Sequence, residues 1–125
     1  MQSVIEQAGV EASFPITCAA ILRFAPDHRH LVVVGLVVAE SVGHIFQDLV
    51  LDDGTARIRV RCIRDATTSS TYLGRYIHAV GGLVNSEPVR LFCPWVRPVE
   101  EADEISHHRL EAALCFLRKS NAVGS

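Results

Sequence analysis

The chain has 125 residues, a formal net charge of −2, 49% hydrophobic residues and 21% charged ones. That size fits one domain around a single hydrophobic core, and the composition excludes a disordered polyelectrolyte. The slightly acidic balance excludes a global field that would draw the chain to nucleic acid, so any such binding rests on local arginine placement or on a partner.

Residues 1–13 are polar and without a period, which predicts a flexible N-terminal arm. The stretch MQSVIEQAGVEAS lacks the basic and apolar regions of a signal peptide, and no run approaches the ~18 apolar residues of a membrane span. Four cysteines, Cys18, Cys62, Cys93 and Cys115, are widely spaced without a C-x-x-C pair. Cys62 and Cys115 fall on apolar positions, so they read as buried free thiols of a reducing, intracellular compartment.

Phe14-Pro15-Ile16-Thr17 leads into Cys18–Leu22, which predicts a short helix with Thr17 as its N-cap, and Pro26–Arg29 ends it in a turn. Leu31–Ala39 is an almost continuously apolar strand interrupted by Gly35, the mark of a bulge or a barrel bend. A second strand, Ile45–Leu51, runs into Asp52-Asp53-Gly54, a hairpin signal. Ala56–Cys62 alternates strictly: Ile58, Val60 and Cys62 point one way, Arg57, Arg59 and Arg61 the other. Arg64–Thr71 is a polar loop. Arg75–Val80 reads as a fourth strand closed by Gly81-Gly82, joined through Asn85–Pro88 to a fifth at Val89–Val96. Pro94 and Pro98 make that last strand an edge or break its end.

Glu100–Lys119 has a helical period, with Ile105, Leu110, Ala113, Leu114 and Leu117 as its apolar stripe. Acids at its start and Arg118 and Lys119 at its end suit the helix dipole. From Ala112 to Leu117, through Phe116, the apolar residues cover nearly the whole circumference, and a helix of that kind is covered on more than one side. Leu110, Leu114 and Leu117 form a seam for a partner helix. The whole order predicts a mainly β chain: a five-stranded OB-fold barrel over 14–99 with a short N-terminal helix, an assembly helix over 100–119, and a tail over 120–125.

Chemistry-bearing constellations are sparse. Six histidines (His28, His30, His44, His78, His107 and His108) and four cysteines show no zinc-ligand spacing, and Asp52-Asp53 before Gly54 read as turn residues. No nucleophile motif, catalytic triad pattern or glycine-rich phosphate loop is present. Neither an enzyme nor a metal or cofactor is expected. Arg57, Arg59, Arg61 and the following Arg64 are the candidate nucleic-acid contacts, positioned for phosphates. The same stripe also reads as a wet sheet face whose charges block edge-to-edge pairing. Trp95 reads as core or as the lining of the barrel rim.

Pro15-Ile16-Thr17 with Ile21-Leu22, Val34-Gly35-Leu36-Val37, Asp52-Asp53, Thr55-Ala56, Val60-Arg61, Thr68-Ser69-Ser70, Tyr76-Ile77 with Gly81 and Leu83, and Ile105, Ser106, His108, Leu110 and Glu111 occur in a recognisable order and spacing. In these the chain resembles the OB domain of the middle subunit of replication protein A, the heterotrimeric single-stranded-DNA-binding protein of eukaryotes. The resemblance implies a non-enzymatic nuclear subunit serving DNA replication and repair. Its C-terminal helix (Ile105, Leu110, Ala113, Leu114, Phe116 and Leu117) packs against larger and smaller OB-fold subunits. Its barrel makes a secondary contact with single-stranded DNA, weak alone. The family's phosphorylated N-terminal tail and C-terminal winged-helix domain are not within these residues. The family also carries stacking aromatics two positions after the Val-Arg of the third strand and in the loop after the fourth. This chain has Ile63 at the first and Asn85, Ser86 and Glu87 around the second. Without stacking, which contributes about 1–3 kcal/mol per base, the expectation is weak intrinsic binding and a role weighted toward assembly. A scaffold in a telomeric CST-like complex or a RecQ–topoisomerase dissolvasome is the alternative, and an RNA-binding module is disfavoured by the net charge.

Overall fold

In a computed structural model, which describes residues 13–64, 71–84 and 88–124 and side chains through 118, strict alternation in the arginine-bearing strand sets which way the sheet curls. The elements are β1 (Phe14–Pro15), α1 (Cys18–Phe24), β2 (Leu31–Val42), β3 (Phe46–Asp52), β4 (Arg57–Ile63), β5 (Tyr76–Val84), β6 (Arg90–Pro98) and α2 (Asp103–Gly124). Ile58, Val60 and Cys62 of β4 face inward against Leu49 and Leu51 of β3, all buried. The pairing order β2-β3-β4-β6-β5 returns from β5 to β2 and closes a five-stranded barrel. β4 and β6 run parallel at Arg59↔Arg90, Val60↔Leu91 and Arg61↔Phe92, and the other barrel pairs are antiparallel. β1 adds a short parallel strand to β2. This is the expected OB-fold barrel with one further strand.

Several details differ from the sequence reading, each for a physical reason. Gly81-Gly82 do not end β5 but lie inside it, where the register against β6 shifts between Val80 and Gly82. A Cβ on Gly81 would stand 1.9 Å from the Phe92 carbonyl oxygen, so the missing side chain lets β5 fold sharply onto β6. Gly35 plays a milder version of this role in β2, where a Cβ would stand 3.1 Å from the Asp52 carbonyl oxygen, and β2 runs on to Val42 past a bulge at Val37/Ala39. Pro94 sits where the reading put it: beyond Phe92, β6 pairs only with β5, so a residue without N–H removes no ladder bond on the open side. The N-terminal arm (1–12), most of the polar loop (65–70) and Asn85–Glu87 lie outside the described residues.

α1 plugs one end of the barrel with Cys18 and Ile21, both fully buried. Burial of a side chain such as Ile21 contributes roughly 1.5–3 kcal/mol. The first N–H groups of a helix have no partner within it and need acceptors when they are buried. Here Cys18 N donates to Asp53 Oδ2 at 2.8 Å, Ala19 N to Thr55 Oγ1 at 3.1 Å and Ala20 N to Thr17 Oγ1 at 3.2 Å. Thr17 is thus the N-cap that the sequence predicts. Asp53 Oδ1 in turn accepts from the Thr55 hydroxyl at 2.6 Å and from the amides of Thr55 at 2.9 Å and Ala56 at 3.3 Å. The aspartates of the hairpin therefore divide. Asp52 is the turn residue, accepting from Gly54 N at 2.8 Å, whereas Asp53 ties the β3–β4 turn to α1.

α2 lies across the same end of the barrel. His108, buried, donates from Nε2 to the Ile16 carbonyl at 3.2 Å as a neutral ring, and burial lowers its pKa. Arg109 Nη2 reaches the Asp53 carbonyl at 3.4 Å, and Ala112 is buried below. The helix continues to Gly124, through what the sequence reading gives as a tail, so Arg118 and Lys119 precede its last turn. It starts at Asp103, not Glu100, because Glu104 folds the preceding turn back. Its carboxylate takes Arg97 Nη2 at 2.7 Å and the amides of Glu100 at 2.7 Å and Glu101 at 3.2 Å.

Two outcomes follow for stability. Asp53→Ala orphans the Cys18 amide and frees the turn, and it lowers the unfolding free energy by about 2–4 kcal/mol in urea titration. The Arg97 guanidinium and the two amides hold the Glu104 carboxyl down at about 2. A carboxyl lowered in the folded state contributes stability that is present above its ordinary range and is lost as pH falls through the folded value. Between pH 4.5 and 2 the urea midpoint of the native chain therefore falls more steeply than that of Glu104→Gln.

Candidate nucleic-acid and partner interfaces

The outward phases of β3, β4 and β6 form one continuous face. Register pairs Phe46 with Ile63, Asp48 with Arg61, Val50 with Arg59 and Asp52 with Arg57, and β6 adds Arg90 and Phe92 beside Arg59 and Arg61. The three arginines of β4 are brought together as the alternation requires. Arg57 pairs with Asp52 at 3.0 Å, and Arg61 grips Asp48 with two bonds of 2.8 and 3.1 Å. Arg64 turns to the rim, where Nη1 donates to the Gly43 carbonyl at 3.2 Å. Arg59 has no ion pair among the described residues, and Arg90 Nε is buried without a partner among them. Among the described residues the ion-pair partners of arginines 57, 59, 61, 64 and 90 are Asp48 and Asp52, which leaves a local positive surface on an acidic chain. Hydrogen bonds from Arg61, with the charges of Arg61, Arg90 and Arg59, outweigh the opposing effect of burial and hold the Asp48 carboxyl below its usual range.

Aromatic rings are not missing from this face; they occupy other positions. Phe46 is 37% exposed, and the Arg61 guanidinium carbon lies 4.8 Å from its ring centre. Phe92 meets it edge to face, with ring centres 6.4 Å apart and planes at 85°. Exposed Ile45 and Ile63 flank them. A signal for both rings exists in the sequence: Phe46 shares the outward phase of Asp48 and Val50, and Phe92 lies between inward Leu91 and Cys93.

Further along β6, Trp95 is not core. It is 39% exposed and leans toward the buried His30, ring centres 5.8 Å apart. Cys18, Cys62 and Cys93 are buried free thiols, while Cys115 is only half-buried. Burial raises the thiol pKa of all three, Cys62 to about 11, so they stay protonated and inert at neutral pH. Among the described residues no three His, Cys, Asp or Glu side chains gather as metal ligands, and no helix is long and apolar enough to cross a membrane.

The second surface is α2. Its barrel side carries His108, Ala112 and the half-buried Ile105 and Cys115, so Ile105 stands apart from the other candidate interface residues. Leu110, Leu114 and Leu117 are 59%, 42% and 56% exposed along the side away from the barrel. Ala113 and Phe116 turn toward α1, where Phe116 meets Phe24 with ring centres 5.8 Å apart. Between the two helices runs a largely apolar groove of about 960 Å³, with Arg23 and Arg109 on its rim.

No protein-family model matches the chain, and no curated protein does. Solved structures do. A chain of a replication protein A heterotrimer bound to single-stranded DNA superposes with a TM-score of 0.73 and 26% identity, over 86% of this chain and 98% of that one. A chain of the S. pombe Stn1–Ten1 complex gives 0.70 and 16%, over 89% and 99%. Yeast replication protein A bound to single-stranded DNA gives 0.66 and 21%, over 93% and 94%.

Proposed function

We propose that this OB-fold relative of replication protein A is a non-catalytic nuclear subunit of a single-stranded-DNA-binding genome-maintenance complex. α2 seats it among other OB-fold subunits, and the β3–β4–β6 face contacts the strand. The observation that carries this reading is the pairing, on one small barrel, of an arginine-bearing face with the uncovered leucine seam Leu110, Leu114 and Leu117. Leucines repeated on one face of a helix are stable when another helix covers them. The likeness to heterotrimeric replication protein A chains supports the same arrangement. A second reading, the scaffold of a telomeric complex, draws support from the Stn1–Ten1 likeness and from Ile63 standing where the resemblance places an aromatic.

Pull-down from native extract, followed by a single-stranded DNA titration of the recovered complex at two salt concentrations, tests the reading. Recovery of two further OB-fold subunits with steep salt dependence supports the first assignment, and recovery of telomere proteins supports the second. Leu114→Glu places a charge in the seam and releases the chain from its partners. A soluble monomer whose behaviour the substitution leaves unchanged would refute the assembly role. Arg59→Gln weakens DNA binding uniformly across sequences and flattens the log–log salt dependence by about 0.7, the share of one phosphate contact on a single strand.

A further inference from the structure

Phe46 and Phe92 are large apolar rings on the outer surface of a barrel, away from its core. Their neighbours explain how they are kept there. Arg61 lies 4.8 Å over the Phe46 ring, and the fork from Arg61 to Asp48 fixes the guanidinium in that place. A cation over an aromatic face is favourable, and it occupies the ring surface on which another planar group would stack. The planar group that suits the site is a nucleobase of a single strand. Arg61 pairs across from Phe92, Arg59 and Arg90 lie two residues further along the same strands, and among the described residues the carboxylates of the face, Asp48 and Asp52, are already paired. A duplex, whose bases are stacked on one another, offers no free ring faces.

We propose that Phe46 and Phe92 form the base-stacking platform of a single-stranded nucleic-acid site, and that the Asp48–Arg61 ion pair masks this platform until a phosphate takes Arg61 from Asp48. The proposal rests on the reading of the β3–β4–β6 face as the one that meets the strand. Phe46 lies directly across from Ile63, so the ring stands one strand away from the position that lacks it. When a base displaces the guanidinium from Phe46, Arg61 exchanges one anionic partner for another. Asp48 is left unpaired beside the strand and opposes binding. The platform supplies affinity while Asp48 limits it.

The test is fluorescence anisotropy with the full chain and a labelled oligothymidylate of about 16 nucleotides, the upper site size of one OB barrel. Wild type, Phe46→Leu, Phe92→Leu and Asp48→Asn are titrated at two salt concentrations. Each phenylalanine variant binds about five- to hundredfold more weakly with an unchanged salt slope, because stacking releases no counterions. Asp48→Asn binds about two- to fivefold more tightly, the worth of one exposed ion pair. Phenylalanine variants that bind like the wild type overturn the platform while leaving the face itself intact. An Asp48→Asn variant no tighter than wild type overturns the mask. A wild-type chain that does not bind removes the underlying reading and the proposal together. If a variant melts early, photocrosslinking of 5-iodouracil DNA to the wild-type chain decides the matter: adducts at Phe46 or Phe92 support the platform, and adducts only elsewhere overturn it.

Discussion

One carboxylate, Asp53, holds the molecule's separate parts together. It is 9% exposed, at the turn between β3 and β4, and it accepts bonds from the turn and from the first amide of α1. Burial opposes its ionisation, yet the bonds from the Thr55 hydroxyl and from the amides of Cys18, Thr55 and Ala56 outweigh that cost and keep its pKa low. A buried charge of this kind is tolerated only when its acceptor sites are filled. The backbone carbonyl of the same residue receives Arg109 of α2. The plug, the central hairpin and the outer helix therefore meet at a single residue, and the barrel end is closed by directional bonds as well as by apolar contact.

The two candidate surfaces divide naturally around that junction. The arginine face lies on the outer side of the central hairpin and β6, whereas the leucine seam lies along α2, outside the bonds that anchor the helix to the barrel. In this arrangement the anchoring side of α2 is mixed: His108 and Ala112 are buried against Ile16 and the barrel end, and Ile105 and Cys115 are half-buried beside them. The large side chains Leu110, Leu114 and Leu117 are left over. On the proposed reading, that distribution is what a subunit needs whose helix has work on both sides.

Much of the fold was legible because its signals are local. The alternation of Arg57 to Cys62 fixes both faces of β4, the Thr17 cap fixes the start of α1, and Asp-Asp-Gly marks the central turn. The parts that were not legible depend on what lies across space. Gly81-Gly82 read as a stop because a glycine pair usually is one; only the approach of β6 makes it a bend within a strand. Asp53 and Asp52 are indistinguishable in sequence, and what separates them is α1, which approaches one and not the other. The candidate site was half legible. The arginines share one face by the period of two in β4, while Phe46 and Phe92 stand on the outward phase of β3 and β6, away from the positions at which the resemblance places rings. Ile105, in the same helical stripe as the leucines, belongs to the barrel side.

Closure of the barrel has a kinetic consequence. β3 and β4 are neighbours in sequence and pair through a short turn, but β2 meets β5, and β4 meets β6, only across long stretches of intervening chain. Pairings of high contact order form slowly, since the entropy of closing a long loop is lost before the strands gain from meeting. The central hairpin is the local pairing of this barrel, and the ring closes only through the non-local ones, β2 with β5 and β4 with β6. α2 docks through Ile16 and Asp53, which lie far before it in the chain. The anchoring of α2 is thus itself a non-local event, and its leucines stay uncovered by the barrel even after the helix has docked.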